Sequence, residues 1–140
     1  MFSTRAPLAL LLVALLVAAC GPAGAASPSP SPSSGSRPSS PAVITITEPT
    51  QGQVVTGSTV HVEVALANAK VVQQTTTHIV PTEGHVHLYL DNAVVYMQYS
   101  LQQDLPVHPG TYTLRAEFVA SDHAPFDPRV FSEQVIFTVK

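Results

Sequence analysis

Alternation of apolar and polar residues is the feature that most constrains how this chain can fold. Residues 60–66 place valine or leucine at every second position, and residues 85–91, 111–120 and 135–139 also alternate apolar residues with others. Because successive side chains of a β-strand point to opposite faces, each pattern predicts a strand with one buried face. The same region shows no long 3.6-residue periodicity, so the sequence predicts an all-β domain.

The predicted strands are separated by turn signals such as His108-Pro109-Gly110. With immunoglobulin lettering, we assign the strands Val43–Glu48 (A), Ser58–Leu66 (B), His85–Asp91 (C), Val94–Ser100 (C′ or D), a weak strand at Leu101–Val107, Thr111–Ala120 (F) and Val130–Val139 (G). Several short strands within about 100 residues predict an immunoglobulin-like, fibronectin-like antiparallel β-sandwich.

The N-terminal segment has a different composition and predicts the location of the protein. An apolar run from Ala6 to Ala19 follows Arg5. It is shorter than the roughly 20 residues that a membrane-spanning helix needs, so we interpret residues 1–19 as a signal peptide. The run ends in Val-Ala-Ala-Cys-Gly, which resembles the lipobox of bacterial lipoproteins. The resemblance implies a lipid on Cys20 and anchoring to the extracytoplasmic face of a bacterial cell membrane; an ordinary secretory signal is the alternative.

Residues 20–41 consist almost entirely of Pro, Ser, Gly and Ala. Such a segment has too few apolar side chains to form a core, so we interpret it as a tether that reaches up to about 3 Å per residue. Residues 42–140 then form one domain of ordinary size. Cys20 is the only cysteine, so after lipidation no thiol remains for a disulfide, a blue-copper site or a cysteine-rich zinc site.

The charge of the domain excludes some functions. Of six Lys and Arg residues, Arg5 and Arg37 precede residue 42, which leaves four against nine Asp and Glu. This acidic balance argues against nucleic acid as a partner and against an electrostatic membrane-binding face. Ser121-Asp122-His123 lacks a nucleophile elbow and a glycine-rich oxyanion loop, so we do not expect an enzyme.

All six histidines lie in the domain. In a sandwich of this topology the B–C and F–G loops meet at one pole. The histidines expected at this pole are two from strand C and one from each loop: His78, His85, His87 and His123. His61 and His108 belong to the opposite pole. The topology therefore predicts a cluster of four imidazoles.

Imidazoles at positions i and i+2 of a strand, with another from a nearby loop, are suitable ligands for Cu(II), Zn(II), Ni(II) or Co(II). Asp122, Asp91 or Glu83 could add a carboxylate ligand or accept a hydrogen bond from a ligand ring. Without thiols, copper would be bound most tightly, and zinc is the other candidate ion. Met97 could assist Cu(I), but a lone methionine in an apolar strand is normally a core residue.

The same histidines have a structural interpretation. They could lie on a solvated sheet face, or hydrogen-bond the long loop 67–84, and Asp122 could cap the F–G turn. Two functions therefore stay open. One is transition-metal binding in storage, delivery or sensing. The other is a non-catalytic adhesion or scaffolding module with a protein partner that the sequence does not identify.

GHVHLYLD and GTYTLRAEFVASDHAPFDP resemble a family of small secreted or lipid-anchored immunoglobulin-like domains of bacteria and archaea, which carry a Gly-His-x-His strand and an Asp-His-x-Pro loop. The resemblance covers most of residues 42–140. It implies that one motif set contains Gly84, His85, His87, Asp122, His123 and Pro125. PGTYTLRAEF also resembles strand F of immunoglobulin-like and fibronectin-like domains, which implies that Tyr112 forms a corner with the preceding loop.

Overall fold

The structure is a computed structural model that describes residues 36–140. The predicted signal peptide, Cys20 and most of the predicted tether therefore lie outside the described residues. All regular secondary structure within residues 36–140 is β-strand. No helix in this part of the chain is long and apolar enough to cross a membrane.

Residues 36–140 contain ten strands in two sheets. The strands are β1 (Val43–Glu48), β2 (Val54–Val55), β3 (Thr59–Ala67), β4 (Lys70–Val71), β5 (Glu83–Leu90), β6 (Ala93–Gln98), β7 (Gln102–Pro106), β8 (Gly110–Ala120), β9 (Pro125–Phe131) and β10 (Val135–Val139). The smaller sheet has the order β1-β3-β7. The larger has the order β2-β10-β8-β5-β4, with β6 paired to β5 and β9 to β8. The pairings are antiparallel except for two short parallel contacts, β2 with β10 and β4 with β5.

The two sheets enclose one apolar core. The smaller sheet contributes alternate residues of β3 to this core, and the larger sheet contributes alternate residues of β8. All of these side chains are buried: Val60, Val62 and Val64 from β3, and Leu114, Ala116 and Phe118 from β8. They occupy the alternate positions that the sequence pattern marks as inward. The β-sandwich and the predicted facing of its main strands are therefore confirmed.

The predicted strand G is two strands. β10 pairs with the first half of β8, and β9 pairs with the second half. At the break between them, the Ser132 N–H donates to the Ala116 carbonyl at 2.9 Å, and the Ser132 hydroxyl accepts from the Ala116 N–H at 3.0 Å. Because β9 begins at Pro125, the loop after β8 spans only residues 121–124, which is shorter than the sequence predicts.

A bulge in β6 decides which of its side chains face outward. The pairing register with β5 shifts by one residue at Val95. Beyond the shift, Met97 pairs with His87 and lies on the outer face of the sheet, where it is 58% exposed. The core position expected for Met97 is therefore wrong. Tyr96 instead packs against the core from the inner face.

Residues that composition assigns to the tether contact the domain. The Pro38 carbonyl accepts a hydrogen bond from the Asp127 N–H at 3.0 Å. The Ser40 hydroxyl donates to the Pro81 carbonyl at 2.5 Å. The part of the chain in contact with the sandwich therefore begins before residue 42.

Tyr112 forms a corner at the start of β8. Its hydroxyl donates to the His108 carbonyl at 3.0 Å and accepts from the His108 N–H at 3.2 Å. Its ring stacks on Phe137, with centroids 5.5 Å apart. The hydroxyl thus fastens the β7–β8 connection to the larger sheet.

We expect Tyr112→Phe to lower the free energy of unfolding by about 1–2 kcal/mol, because two hydrogen bonds are lost while the ring contact stays. Urea denaturation with an unchanged m value measures this loss. Tyr99→Phe is the control, since that hydroxyl has only a 3.4 Å contact with Thr75. A loss no larger than the control's would show that the corner does not contribute to stability.

Candidate functional site

β5 carries His85 and His87 on the face of the larger sheet that points away from the core. In the antiparallel pairing with β8 they lie opposite Val119 and Glu117. His85 is 0% exposed and His87 is 6% exposed. The expectation of a solvated sheet face is therefore wrong, because other parts of the domain cover these two rings.

Gly84 allows β5 and β8 to approach closely just before the histidines. A Cβ at this position would lie 1.9 Å from the Val119 carbonyl oxygen and 3.0 Å from the Phe118 ring. The Val119 carbonyl belongs to the backbone of β8, so it cannot move away from an added Cβ as the end of a flexible side chain could. Glycine in the Gly-His-x-His strand is therefore required by strand packing.

His123 comes from the turn between β8 and β9. Its backbone is left-handed, with φ 64°, and its N–H donates to the Ala120 carbonyl at 2.9 Å. Its ring stacks on His85, with centroids 4.2 Å apart and planes at 29°. The centroid of His87 lies 5.8 Å away, with planes at 19°. The structure thus brings together three of the four histidines expected at this pole, hereafter the histidine cluster.

Hydrogen bonding fixes the tautomer of His85. Its Nε2 lies 3.1 Å from the Ser121 carbonyl oxygen. Because a carbonyl only accepts, Nε2 carries the hydrogen, and Nδ1 of the neutral ring carries a lone pair. His85 Nδ1 and His87 Nε2 are both buried without a hydrogen-bond partner among the described residues. This is unusual, since nearly all buried polar atoms have a partner.

Burial lowers the pKa of both strand histidines below its usual value near 6.5. For His85, desolvation is the largest cause, and the bond to the Ser121 carbonyl opposes it. For His87, desolvation is again the largest cause, and the Glu117 carboxylate opposes it. Both rings are therefore neutral at pH 7, with lone pairs available for bonding.

Tyr99 and Thr75 complete the wall around the rings, and neither is among the residues that the sequence predicts for the site. The Tyr99 ring meets His85 edge-on, with centroids 4.7 Å apart. The Thr75 hydroxyl lies 3.4 Å from the Tyr99 hydroxyl and 3.3 Å from His123 Nε2. The long loop after β4 therefore contributes a polar side chain to the cluster. Alternation along β6 would place Tyr99 on the same face as the histidines, but only if the position of the bulge at Val95 is known.

Next to His87, a buried carboxylate is already neutralised. Glu117 is 0% exposed, and its oxygens accept from Arg129 Nε and Nη2, both at 2.7 Å. The Tyr89 hydroxyl donates to the same carboxylate at 2.6 Å. The sequence placed Glu117 on the outward face but gave no sign of its burial or of its partners. The Glu117 carboxylate lies opposite His87 in the strand pairing, and its hydrogen bonds are made to Arg129 and Tyr89.

Asp122, expected as a ligand or acceptor for the histidines, pairs with Arg37. The two carboxylate oxygens accept from Nη1 at 2.6 Å and Nη2 at 2.9 Å. The arginine holds the pKa of Asp122 below its usual range. Arg37 also donates to the Ala124 and Pro125 carbonyls, each at 2.9 Å. The segment before β1 thus ties down the turn that carries His123.

The other predicted site residues lie apart from the histidine cluster. The Glu83 carboxylate pairs with Lys70 Nζ at 2.9 Å. Asp91 lies in the β5–β6 turn, at the far end of β5, and accepts from the Thr113 N–H at 2.8 Å. The structure therefore does not bring Asp91 to the histidine cluster. His78 is exposed and, within residues 36–140, has no ring contact with the other histidines.

Within residues 36–140, no three His, Cys, Asp or Glu side chains are arranged to hold a metal ion as the rings now lie. Stacked rings present their faces to one another, whereas the lone pairs lie in the ring planes. Joint coordination therefore requires a ring to rotate. His123 is the candidate, because it lies on a turn and is only partly buried.

We expect Gly84→Ala to lower the free energy of unfolding by about 3 kcal/mol or more, because the added methyl group overlaps the Val119 backbone. Urea denaturation measures the change. Gly110→Ala is the matched control, since its added Cβ would meet only the Tyr112 ring at 3.8 Å and the His108 carbonyl at 4.0 Å. Similar stabilities of the two variants would contradict the close approach of β5 and β8.

The lowered pKa values predict that acid destabilises the fold. Unfolded histidines bind protons with a pKa near 6.5, whereas folded His85 and His87 resist protonation. The unfolded state therefore takes up more protons as the pH falls below 6.5. The free energy of unfolding should decrease by up to about 1.4 kcal/mol per pH unit for each histidine. This contribution is complete above the unfolded pKa and is lost as the pH falls toward the folded one.

Urea denaturation between about pH 5 and pH 7.5, for the wild type and for His85→Gln/His87→Gln, tests this dependence. The variant should lose the extra decrease at acidic pH. His61 pairs with Asp104 at 2.7 Å, which raises its pKa, so its contribution is present below 6.5 and fades as the pH rises. The contribution of His61 is the same in the wild type and the variant, so it cancels in the difference between their free energies of unfolding. Parallel pH profiles would show that the two buried histidines do not resist protonation.

No protein-family model matches the chain, and no curated protein is significantly similar to it. Among solved structures, the chain is similar to the fibronectin(III)-like modules of CbhA from Clostridium thermocellum. The TM-score is 0.42 and the sequence identity is 11%, over 69% of this chain and 93% of that chain. The assignment of an immunoglobulin-like β-sandwich rests on the two sheets, their shared core and the tyrosine corner.

Proposed function

We propose that this chain is a non-catalytic, lipid-anchored extracytoplasmic module that binds a transition metal ion through His85, His87 and His123. One observation carries the proposal: His85 Nδ1 and His87 Nε2, from alternate positions on the outer face of β5, are both buried without a hydrogen-bond partner among the described residues. An unsatisfied buried polar atom costs about 1–3 kcal/mol. Coordination of an ion by both nitrogens offsets that cost.

The surroundings of His85 suit a metal ligand. Histidines that bind metals usually donate their second ring N–H to a carbonyl or carboxylate, which orients the ring. The bond from His85 Nε2 to the Ser121 carbonyl has this form and leaves Nδ1 for the ion. The lowered pKa of the ring also removes proton competition at neutral pH.

Copper is the ion that this donor set favours. Imidazole nitrogens bind divalent first-row ions with an affinity that peaks at copper, and zinc follows it. The only cysteine of the chain is Cys20, so the domain offers no thiolate that would favour a structural zinc site. Storage, delivery and sensing of copper are each compatible with such a site.

Binding requires a local rearrangement of His123. Its ring now stacks on His85 with centroids 4.2 Å apart, and its Nε2 has a long contact of 3.3 Å with the Thr75 hydroxyl. A contact of this length is weak, so little hydrogen bonding is lost when the side chain rotates. The partly exposed ring can then turn a nitrogen toward the two buried rings of β5.

A structural function is the second candidate, and different contacts favour it. The His85 bond to Ser121 links β5 to the β8–β9 turn, and the Thr75 contact links His123 to the loop after β4. In this function the rings hold two loops of an adhesion or scaffolding module, and the partner is a protein. The buried unpaired nitrogens are then a cost that the loop contacts offset.

The N-terminal sequence supports the location in both cases. The lipobox-like segment ends at Cys20, and a Pro/Ser-rich stretch separates it from the domain. A lipid on Cys20 would hold the domain at the extracytoplasmic face of a bacterial cell membrane. The acidic balance of the domain supports a function without nucleic acid.

Isothermal titration calorimetry of Cu(II) and Zn(II) at neutral pH tests the proposal, with Cys20→Ser in every protein so that no thiol binds metal. We expect one Cu(II) ion per chain, with a submicromolar dissociation constant. His87→Gln and His123→Gln should each weaken binding at least tenfold, about 1.4 kcal/mol. His61→Gln, an exposed histidine on the other sheet, is the matched control and should bind like the wild type.

Two results would contradict metal binding by the histidine cluster. Equal weakening by His61→Gln and His87→Gln would show that copper binds surface histidines without a defined site. No binding, together with a loss of stability in His85→Gln, would favour the structural function.

A further inference from the structure

Met97 lies beside the histidine cluster on the outer face of the larger sheet. It pairs with His87 across β5 and β6. Cβ atoms of directly paired residues are about 4.5–5.5 Å apart, so the long Met97 side chain can reach the His87 ring. Met97 is 58% exposed, the highest value among the exposed large apolar side chains of the described part of the chain.

Core packing does not account for Met97. The bulge at Val95 turns it out of the core, so its side chain is free to meet a ligand rather than a neighbouring strand. A thioether is a soft, polarizable donor. Residues 36–140 contain no other methionine and no cysteine, so Met97 supplies the soft donor of the domain.

We propose that Met97 makes the histidine cluster a Cu(I) site, in which the thioether takes the place that His123 has in the proposed Cu(II) site, beside His87 Nε2 and His85 Nδ1. This inference rests on the proposed function and specifies the oxidation state of the copper. Thioether ligands select Cu(I), whereas imidazole alone also suits Cu(II) and Zn(II). Copper binds as Cu(I), so no electron transfer is involved.

The charges around the cluster also favour a monovalent ion. Glu117 is paired with Arg129, and Asp122 is paired with Arg37. The three ligands are neutral, and the two histidines are almost fully buried. A buried charge without a compensating partner is costly, and the cost rises with the charge of the ion. A site of neutral donors therefore suits Cu(I) better than a divalent ion.

Anaerobic competition with a colorimetric Cu(I) chelator tests the proposal on the full chain carrying Cys20→Ser. Met97→Leu keeps the volume of the side chain and should weaken Cu(I) binding at least tenfold, with a much smaller effect on Cu(II) binding. Val94→Leu is the matched control, because Val94 is exposed on the same face of β6 but pairs with Tyr89 instead of a histidine. It should leave the Cu(I) affinity unchanged.

X-ray absorption at the copper edge gives a second readout that does not depend on affinity. The Cu(I)-loaded parent protein should show a sulfur ligand together with nitrogen ligands. In Met97→Leu the sulfur contribution should disappear. The parent spectrum shows whether sulfur binds copper, and its change in Met97→Leu distinguishes Met97 from Met1, the other methionine of the full chain.

The failures of the two proposals are distinguishable. Equal Cu(I) affinities in the parent and Met97→Leu, with only nitrogen ligands in the parent spectrum, would overturn the role of Met97 and leave Cu(II) binding by the histidines intact. Absence of both Cu(I) and Cu(II) binding in the parent would overturn the proposed function as well.

Discussion

The antiparallel pairing of β5 with β8 is the contact on which both the fold and the histidine cluster depend. It joins the two central strands of the larger sheet over seven residue pairs, from Gly84 with Ala120 to Leu90 with Leu114. Because Gly84 has no side chain, the strands approach closely just where β8 enters its turn. This approach sets His85 against the Ser121 carbonyl and places the turn over the outer face. The position of the cluster is therefore set by one strand ladder.

The outer face next to this ladder buries polar groups in two different ways. Glu117 carries a charge, and Arg129 and Tyr89 satisfy it with three short hydrogen bonds. Opposite it, the neutral His87 ring keeps a buried nitrogen without a partner among the described residues. A buried charge must be paired, whereas an unpaired neutral nitrogen costs only about 1–3 kcal/mol. The domain tolerates the smaller cost at the position where the proposed metal ion would offset it.

Alternation in the sequence predicted the main strands and their inward faces, because a period of two residues reports directly which side chains are buried. The sandwich topology then placed His85, His87 and His123 together. It did not predict Met97 and Tyr99, since one unpaired residue in β6 reverses the facing of all that follow, and nothing in AVVYMQ marks its place. The pair of Arg37 with Asp122 joins residues 85 positions apart, which no local pattern indicates.

Arg37 gives the segment before β1 a part in the site. It binds the residues on both sides of His123, through the Asp122 carboxylate and the Ala124 and Pro125 carbonyls. The ion pair is partly exposed, with 32% and 25% of the two side chains accessible, so its contribution to stability is modest. The stronger effect of Arg37 is to fix the position of the turn that carries His123. In the proposed metal site, these bonds would hold the backbone of the turn while the His123 side chain alone rotates toward the ion.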